Sequence, residues 1–228
     1  MKAVALLGGP KELWPDDLKK HLQHAQESGK QLLGVDRGSL LLLEEGVVPD
    51  IAIGDFDSLK AGELDEVERQ VSEIRYSQPV KDWTDSELML QAAFQDYEDT
   101  SLTIYGATGG RLDHFLVNLL TFLKPEFRPY LEKVQLIDQQ NVVEYRHAGK
   151  HHITPITGYP YIGIVALTPI DRLTIRGARY QLDHFSSKVP IAFASNEFLP
   201  RTSGFEVSLD QGVICLIYSR DRHRFMTV

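Results

Sequence analysis

The first 140 residues alternate between short apolar runs and segments with helical spacing, and this alternation constrains the fold more than any other feature. The runs that predict buried strands are AVALL, QLLGVD, DIAIGD, EIRYS, SLTIYG and VQLID. Five helices are predicted between them: one beginning near Pro15, then GSLLLLEEG, AGELDEVERQV, TDSELMLQAAFQDY and RLDHFLVNLLTFL. Thr84 and Glu87 form the capping-box pattern that starts the fourth of these helices. Such alternation predicts an open, mostly parallel α/β sheet with right-handed crossovers over residues 1–140.

Residues 141–228 follow a different pattern. Segments such as RLTIR and FEVSL alternate apolar and polar residues with a period of two, and turn residues interrupt them at short intervals. No helical period stands out in this half. The predicted fold class is therefore α/β, with the N-terminal α/β domain followed by a smaller antiparallel all-β sandwich domain.

Composition limits the possible partners and compartments. The formal charge of −8 argues against nucleic acid as the main partner, because phosphate backbones favour basic surfaces. Cys215 is the single cysteine and lies in the apolar run GVICLIY, so we expect a buried thiol and no disulfide within the chain. The first apolar run is too short for a signal-peptide core, and no stretch approaches the roughly 20 residues that span a bilayer. We expect a soluble, cytoplasmic protein with no membrane partner.

Acidic residues recur where the predicted strands end. Asp36 ends the second strand, Asp55 and Asp57 end the third, and Asp82 and Asp85 follow the fourth. Each alone is consistent with a turn residue or a helix cap, and Asp85 could simply serve the first turn of its helix. Ligands of open α/β sheets bind at the carboxyl ends of the strands, however, so the repeated placement predicts a common site.

Several carboxylates in one crevice would raise each other's pKa unless cations compensated them. The predicted rim offers hard oxygen ligands and no nearby cluster of histidine or cysteine. That ligand set suits Mg²⁺, which typically keeps some water molecules and bridges to substrate phosphates.

The segment GATGGRLDH, residues 106–114, follows the fifth predicted strand. Its glycines, Gly106, Gly109 and Gly110, allow the backbone to approach a phosphate, and the next helix offers free N–H groups. Arg111 can bind phosphate oxygens in a bidentate manner, and Asp113 can orient Arg111 or join the acidic cluster. The alternative is a tight strand–helix turn with Asp113 as a first-turn charge. The segment matches neither the Walker motif nor the dinucleotide fingerprint.

Four segments in order and spacing resemble one known family. DRGSLLLLEEGVVPDIAIGDFDSL, KDWTDSELML, GATGGRLDHFLVNL and ASNEF together resemble bacterial thiamine pyrophosphokinase (thiamine diphosphokinase) across nearly the whole chain. The resemblance implies an α/β catalytic domain binding ATP and Mg²⁺ at 1–140 and a thiamine-binding β-sandwich at 141–228. It also implies a homodimer with active sites at the subunit interface, and the reaction of ATP with thiamine to give AMP and thiamine diphosphate.

The resemblance also implies roles for individual residues. The implied catalytic residues are Asp55, Asp57, Asp82, Asp85, Arg111 and Asp113. The implied ATP and phosphate contacts are Asp36, Arg37, Gly106, Thr108, Gly109, Gly110 and Arg111. The implied metal ligands are Asp36, Asp55, Asp57 and Asp82. The implied thiamine contacts are Ser195, Asn196 and Phe198.

Two positions depart from the family pattern. Arg37 stands in a segment often written D-G-G-A, where it either adds a phosphate contact or points to solvent. Some relatives stack an aromatic residue on the thiamine ring, but SNEF contains no tryptophan. Phe198 is a possible substitute, and a core position is the alternative.

Three other functions are consistent with the acidic rim. A pyrophosphokinase for another small alcohol, such as a pterin, would keep the rim and change the pocket built by residues 141–228. A simple kinase would make thiamine monophosphate and release ADP. A sensor would bind thiamine or nucleotide without turnover, but a binding module gains little from so much uncompensated charge.

Overall fold

The computed structural model describes residues 2–77, 83–98 and 100–221. Contacts between residues divide the chain into two compact units, residues 1–139 and 140–228. The first is an α/β unit, and the described part of the second consists of strands and their connections. The mixed α/β fold class predicted from the sequence is confirmed.

The described residues of the first unit form six parallel strands, all of which the apolar runs predict. They are β1 (Lys2–Leu6), β2 (Gln31–Val35), β3 (Ile51–Gly54), β4 (Glu73–Tyr76), β5 (Ser101–Tyr105) and β6 (Val134–Ile137). Their order in the sheet is β6-β5-β1-β2-β3-β4, with every neighbouring pair parallel. The chain therefore leaves β1 in one direction through β2 to β4, and returns to its other side with β5 and β6. Parallel sheets of this kind open a ligand crevice at the carboxyl ends of the strands where the order reverses, here between β1 and β5.

Within the part of this unit that the structure describes, five α-helices connect the strands. They are α1 (Leu18–Glu27), α2 (Arg37–Glu44), α3 (Ala61–Gln70), α4 (Asp85–Gln91) and α5 (Leu112–Leu120). The predicted capping box of α4 is present: the Glu87 N–H donates to Thr84 Oγ1, and the Thr84 N–H donates to the Glu87 carboxylate. The α4 helix is shorter than predicted, because the backbone widens into a π-helical turn at Ala92–Asp96.

Buried aliphatic side chains hold the first three helices on the sheet. One cluster joins Leu22 of α1 and Leu42 of α2 to Leu6 and Leu32 of the strands. A second cluster packs Val67 of α3 beside strand and loop side chains. Full burial of one such side chain contributes about 2 kcal/mol.

The fifth helix differs from the others, because none of its residues is buried. The sequence RLDHFLVNLLTFL predicts a strongly apolar helix, and its apolar side chains face outward in the single chain. Leu112, Leu116 and Leu120 follow one another at intervals of four residues and are 77%, 50% and 40% exposed. A soluble chain rarely leaves such a stripe uncovered.

Up to residue 221, where the described part ends, the second unit contains six antiparallel strands. They are β7 (Asn141–Ile153), β8 (Tyr161–Ala166), β9 (Ile170–Arg176), β10 (Leu182–Ser187), β11 (Ile191–Glu197) and β12 (Phe205–Ser219). The long strands β7 and β12 pair with each other, while β12 pairs with β9 through its first half and with β8 through its second half. The register shifts between Leu209 and Val213, where Gly212 has a φ of +105°. This irregularity separates the part of β12 that pairs with β9 from the part that pairs with β8.

The remaining predictions about the chain as a whole can be compared with the structure directly. Cys215 is free and fully buried, as predicted, and burial raises the pKa of its thiol to about 12. Among the helices of the described ranges, none has the length and apolar character needed to cross a membrane.

Candidate active site

A cavity of about 680 Å³ lies at the carboxyl edge of the parallel sheet, within the first unit. The segments that follow β1, β2, β3, β4 and β5 all contribute to its lining, as does the first half of α5. It therefore occupies the crevice at which the strand order reverses, where ligands of open α/β sheets bind.

The floor of this cavity is bare backbone. The Gly9 N–H donates to the Gly106 carbonyl at 3.0 Å, which joins the loops after β1 and β5. A Cβ at Gly9 would lie 2.4 Å from that carbonyl, and one at Gly106, whose φ is +69°, would lie 2.3 Å from the Leu7 carbonyl. Only glycine allows this approach of the two loops, so the floor has backbone and no side chain at these two positions.

Three carboxylates converge at one side of the cavity. Asp36, Asp55 and Asp57 each place an oxygen within 4.8 Å of the others. Asp36 and Phe56 have positive φ angles of 52° and 56°, conformations that cost energy in residues other than glycine. The Asp36 N–H donates to the Ile53 carbonyl at 2.8 Å, so the bend after β2 is tied to the end of β3.

Asp36 has one carboxylate oxygen with a hydrogen-bond partner and one without. Its Oδ2 accepts a hydrogen bond from the Ser58 hydroxyl at 3.2 Å, but its Oδ1 is buried without a hydrogen-bond partner. Burial raises the pKa of Asp36, the Ser58 hydrogen bond opposes the rise, and the charges of Asp85, Asp55 and Asp57 add to it. A buried, unpaired carboxylate oxygen beside two further carboxylates fits a hard divalent cation such as Mg²⁺.

The predicted acids after β4 divide into two cases. Asp85 is the first residue of α4, lines the cavity, and lies close enough to Asp36 to influence its pKa. Its placement therefore serves the helix start and the acidic cluster together. Asp82 lies outside the described residues.

Arg111 and Asp113 form an ion pair at the mouth of the cavity. Arg111 Nε donates to Asp113 Oδ1 at 3.1 Å, and Nη2 donates to Oδ2 at 2.5 Å. Their side chains are 73% and 61% exposed. The Arg111 guanidinium lowers the pKa of Asp113, and the His114 N–H also donates to that carboxylate. Asp113 orients Arg111 in this arrangement, one of the two roles that the sequence left open.

The glycine-rich loop has an anchor that the sequence reasoning missed. The Thr108 hydroxyl donates to Asp138 Oδ2 at 2.6 Å, and Asp138, which follows β6, is 8% exposed. On the other side of the loop, Asn118 Nδ2 of α5 donates to the Ala107 carbonyl at 3.0 Å. The signal for Asp138 was present, since VQLID ends in an acid at the carboxyl end of a strand, as the other acidic segments do.

Arg37 also lines the cavity, and its contact with phosphate stays a prediction. Its Nη1 donates to the Ser58 carbonyl at 3.3 Å and lies 3.7 Å from the Glu63 carboxylate. The side chain is 42% exposed, so it stays partly within reach of a ligand. In the described structure it links the start of α2 to the segment after β3.

The three predicted thiamine contacts lie in the second unit, around the end of β11. Ser195 is exposed with a φ of +58°. Asn196 is 4% exposed; its side-chain oxygen accepts from the N–H groups of Tyr180 and Glu197, and its Nδ2 donates to the Tyr180 carbonyl.

Phe198 follows β11 and is partly buried. Its ring centroid lies 5.1 Å from that of Phe205 and 6.2 Å from that of Tyr218, which agrees with a core position. Asn196 likewise uses its amide within the protein. Their contact with thiamine stays a prediction.

Comparison with protein families gives matches in both units. The model described as "Thiamin pyrophosphokinase, catalytic domain" matches residues 22–133. The model described as "Thiamin pyrophosphokinase, vitamin B1 binding domain" matches residues 150–214. The first match contains the four described acids that line the cavity, Asp36, Asp55, Asp85 and Asp113.

Individual relatives match over nearly the full length. The thiamine pyrophosphokinase of Bacillus subtilis (strain 168) is 32% identical over 224 residues, covering 97% of this chain and all of the relative. The crystal structure of a thiamin pyrophosphokinase family protein from Enterococcus faecalis has a TM-score of 0.88 and 33% identity, covering 97% and 100% of the two chains. The thiamin pyrophosphokinase from Candida albicans, at 19% identity and a TM-score of 0.71, shares the fold.

Proposed function

Because this chain belongs to the thiamine pyrophosphokinase family of diphosphotransferases, we propose that it transfers the pyrophosphoryl group of ATP to thiamine. The thiamine hydroxyl oxygen forms a bond to the β-phosphorus, and the bond from that phosphorus to the oxygen bridging it to the α-phosphorus breaks. The products are thiamine diphosphate and AMP, and the hydroxyl proton leaves to solvent. The observation that carries the proposal is the unpaired Asp36 oxygen among three carboxylates, beside a glycine floor.

In this proposal Asp36, Asp55 and Asp57 hold Mg²⁺, with Asp82 as a further ligand. When bound, Mg²⁺ would neutralise negative charge on the phosphate oxygens. Without a cation the three carboxylates repel one another. The pKa of Asp36 is raised mainly by burial, and the charges of Asp85, Asp55 and Asp57 add to the rise. The acidic cluster therefore favours nucleotide binding only together with a cation.

The remaining cavity residues bind and orient the phosphates. Gly106, Gly109 and Gly110 let backbone N–H groups approach them, and the Asp138 carboxylate holds the Thr108 hydroxyl at the loop. Arg111 is held in a bidentate pair by Asp113 and is free to exchange part of that pair for phosphate oxygens.

No dedicated base is needed, since phosphoryl transfer depends mainly on positioning and electrostatic stabilisation. Arg111 lowers the pKa of Asp113, which makes that carboxylate a weak proton acceptor. We therefore assign Asp113 to orientation of Arg111. Asp85 contributes charge at the acidic cluster.

We assign ATP and Mg²⁺ to residues 1–140 and thiamine to residues 141–228, where Ser195, Asn196 and Phe198 are the proposed contacts. Asn196 would act by shaping the backbone at Tyr180, with which it exchanges two hydrogen bonds. Because ATP is a substrate, we place the enzyme in the cytoplasm.

We further propose a homodimer in which a second copy covers α5. The helix carries the exposed stripe Leu112, Leu116 and Leu120, and its residues Phe115 and Val117 line the cavity. A copy seated on this stripe would reach the edge of the cavity. This continuity supports active sites at the subunit interface.

Product analysis tests the proposed reaction. Purified protein is mixed with thiamine, ATP and Mg²⁺, with and without EDTA, and the nucleotides and thiamine esters are separated. We expect AMP and thiamine diphosphate in equal amounts, and no product with EDTA. ADP with thiamine monophosphate would contradict pyrophosphoryl transfer, and turnover only with a pterin alcohol would contradict thiamine as the acceptor. Ligand binding that needs no Mg²⁺ and gives no product would indicate a sensor.

A further inference from the structure

Glu87 is a buried carboxylate near the start of α4 to which the proposed reaction gives no role. Its side chain is 1% exposed and accepts three hydrogen bonds. Oε2 accepts from the Thr84 N–H at 3.0 Å, and Oε1 accepts from the Thr121 hydroxyl at 2.8 Å and the Lys124 ammonium at 2.5 Å. An ordinary capping box needs only the first of these.

The hydrogen bonds of Glu87 connect two walls of the cavity. Thr84 and Asp85 line the cavity at the start of α4. Thr121 begins the 3-10 turn that directly continues α5, and α5 lines the cavity through residues such as Asn118. Movement of Glu87 would therefore alter the separation of these two helices.

The carboxylate is held in its charged form. Burial alone would raise the pKa of Glu87, but the hydrogen bonds from Lys124, Thr84 and Thr121 bring it below its ordinary value. Lys124 reaches this position from the surface, with its side chain 46% exposed. A neutral amide at position 87 would keep the size of the side chain and place an NH₂ group beside Lys124 or Thr121.

The start of α4 also faces the acidic cluster, since Asp85, Asp36 and Asp55 line the same cavity. A small displacement of Asp85 thus changes the field at the proposed cation ligands. We propose that Glu87 is a positioning residue: its carboxylate fixes the start of α4 against the end of α5 and so holds Asp85 at the acidic cluster when Mg²⁺ and nucleotide bind. This inference rests on the proposed function.

The test compares Glu87→Gln with Asp50→Asn. Asp50 is a matched control, because its Oδ2 accepts the Leu32 N–H at 2.7 Å near the start of β2, at the amino edge of the sheet. Binding of Mg²⁺ with a non-hydrolysable ATP analogue is measured by calorimetry, kcat and KM are measured for ATP and thiamine, and thermal unfolding is followed for each variant. Lys124→Gln is a second variant, which removes the surface partner and leaves the capping box.

We expect Glu87→Gln to weaken analogue binding about tenfold and to raise the KM for ATP, with the KM for thiamine unchanged. Lys124→Gln should shift analogue binding in the same direction by a smaller factor, and Asp50→Asn should lower only the unfolding temperature. The proposal would be overturned if Glu87→Gln and Lys124→Gln both bound the analogue with unchanged affinity. It would also be overturned if Asp50→Asn lost as much affinity for the analogue as Glu87→Gln. If the wild-type protein binds the analogue but forms no thiamine diphosphate, the reaction assignment fails while the binding comparison still decides the role of Glu87.

Discussion

Asp55 is the residue at which the metal assignment can be tested most directly. We expect Asp55→Asn to abolish turnover at ordinary Mg²⁺ concentrations, because one carboxylate ligand of the cation is lost. The fold should stay intact, because the substitution relieves the like-charge repulsion with Asp36 and Asp57. Turnover as a function of Mg²⁺ and thermal unfolding are the measurements. The control is Asp65→Asn, an exposed carboxylate on α3 that should leave turnover unchanged. Normal turnover of Asp55→Asn would reject the assignment.

The raised pKa of Asp36 makes a prediction about stability without a divalent cation. The folded protein keeps this proton at pH values above the ordinary 3.8, where the unfolded chain has already lost it. Folding therefore binds the proton, and the wild-type protein loses stability as the pH rises through this interval. Asp36→Asn removes this dependence.

The comparison is made by urea unfolding of wild type and Asp36→Asn, with EDTA, between about pH 4 and pH 7. We expect the free energy of unfolding of the variant to increase with pH relative to that of the wild type, because only the wild type loses stability as the pH rises. Added Mg²⁺ should reverse the difference by stabilising only the wild type. A difference that is constant with pH would contradict a raised pKa.

Arg111 belongs to the proposed binding of the phosphates. We expect Arg111→Ala to lower kcat on the order of 10³-fold, by analogy with other arginines that stabilise phosphoryl transfer. The matched control is Arg176→Ala: Arg176 and Asp183 are an equally exposed pair, at 67% and 70%, in the second unit. Steady-state kinetics with both variants separates the local effect from loss of a surface charge. A near-wild-type rate for Arg111→Ala would remove the residue from the mechanism.

Residues at strand ends could be predicted because apolar runs define where a strand stops. Asp36, Asp55 and Asp57 therefore came together as expected. The orphaned oxygen of Asp36 and the contact of Thr108 with Asp138 could not be predicted, since they depend on distances of 2–3 Å set by backbone angles and by partners far along the chain.

At the scale of elements, the apolar stripe of α5 makes a prediction about assembly. Leu116 is 50% exposed and, unlike Phe115 and Val117, does not line the cavity. We expect Leu116→Glu to convert a dimer to a monomer, because a charge buried in an apolar interface has no partner. The measurement is light scattering after size-exclusion chromatography.

The control for this change is Val48→Glu, which introduces the same charge at a site that is 39% exposed and remote from α5 in sequence. It should leave the mass in solution unaltered. A monomeric wild-type protein, or a dimer unaffected by Leu116→Glu, would contradict the proposal that a second copy of the chain covers α5.

The elements themselves followed from local patterns. All six strands and all five helices of the first unit were predicted, since period, caps and breaks are properties of short segments. The π-helical turn at Ala92–Asp96 was missed, because helical spacing does not reveal where the backbone widens. The exposure of α5 was missed as well, since an apolar sequence looks the same whether its own chain or another covers it.

At the scale of the molecule, sheet order required the structure. Parallel pairing joins strands that are distant in sequence, and the alternation does not say that β5 returns beside β1. That return creates the reversal in strand order and hence the cavity. The register shift in β12, which separates its pairing with β9 from its pairing with β8, is likewise a single local irregularity between Leu209 and Val213.

The proposed dimer with shared active sites predicts complementation between two inactive chains. Asp55→Asn disables the α/β unit, and Asn196→Ala removes the hydrogen bonds that hold Tyr180 beside the proposed thiamine contacts. The two chains are co-expressed with different tags, and the mixed dimer is purified through both tags. If each active site combines the α/β unit of one copy with the sandwich of the other, the mixed dimer contains one site with neither substitution. We expect it to show about half the wild-type activity, as two-fold symmetry requires.

The parent homodimers provide the control, because both should be inactive and should melt cooperatively. Recovered activity in the mixed dimer cannot come from residual turnover of either parent, since each site of a parent carries its substitution. If each site were instead built from a single chain, every site of the mixed dimer would carry one substitution and no activity would return. An inactive mixed dimer of normal mass and stability would therefore contradict shared sites while leaving the reaction assignment intact. The experiment therefore tests whether the two copies share their active sites, independently of the role proposed for the acidic cluster.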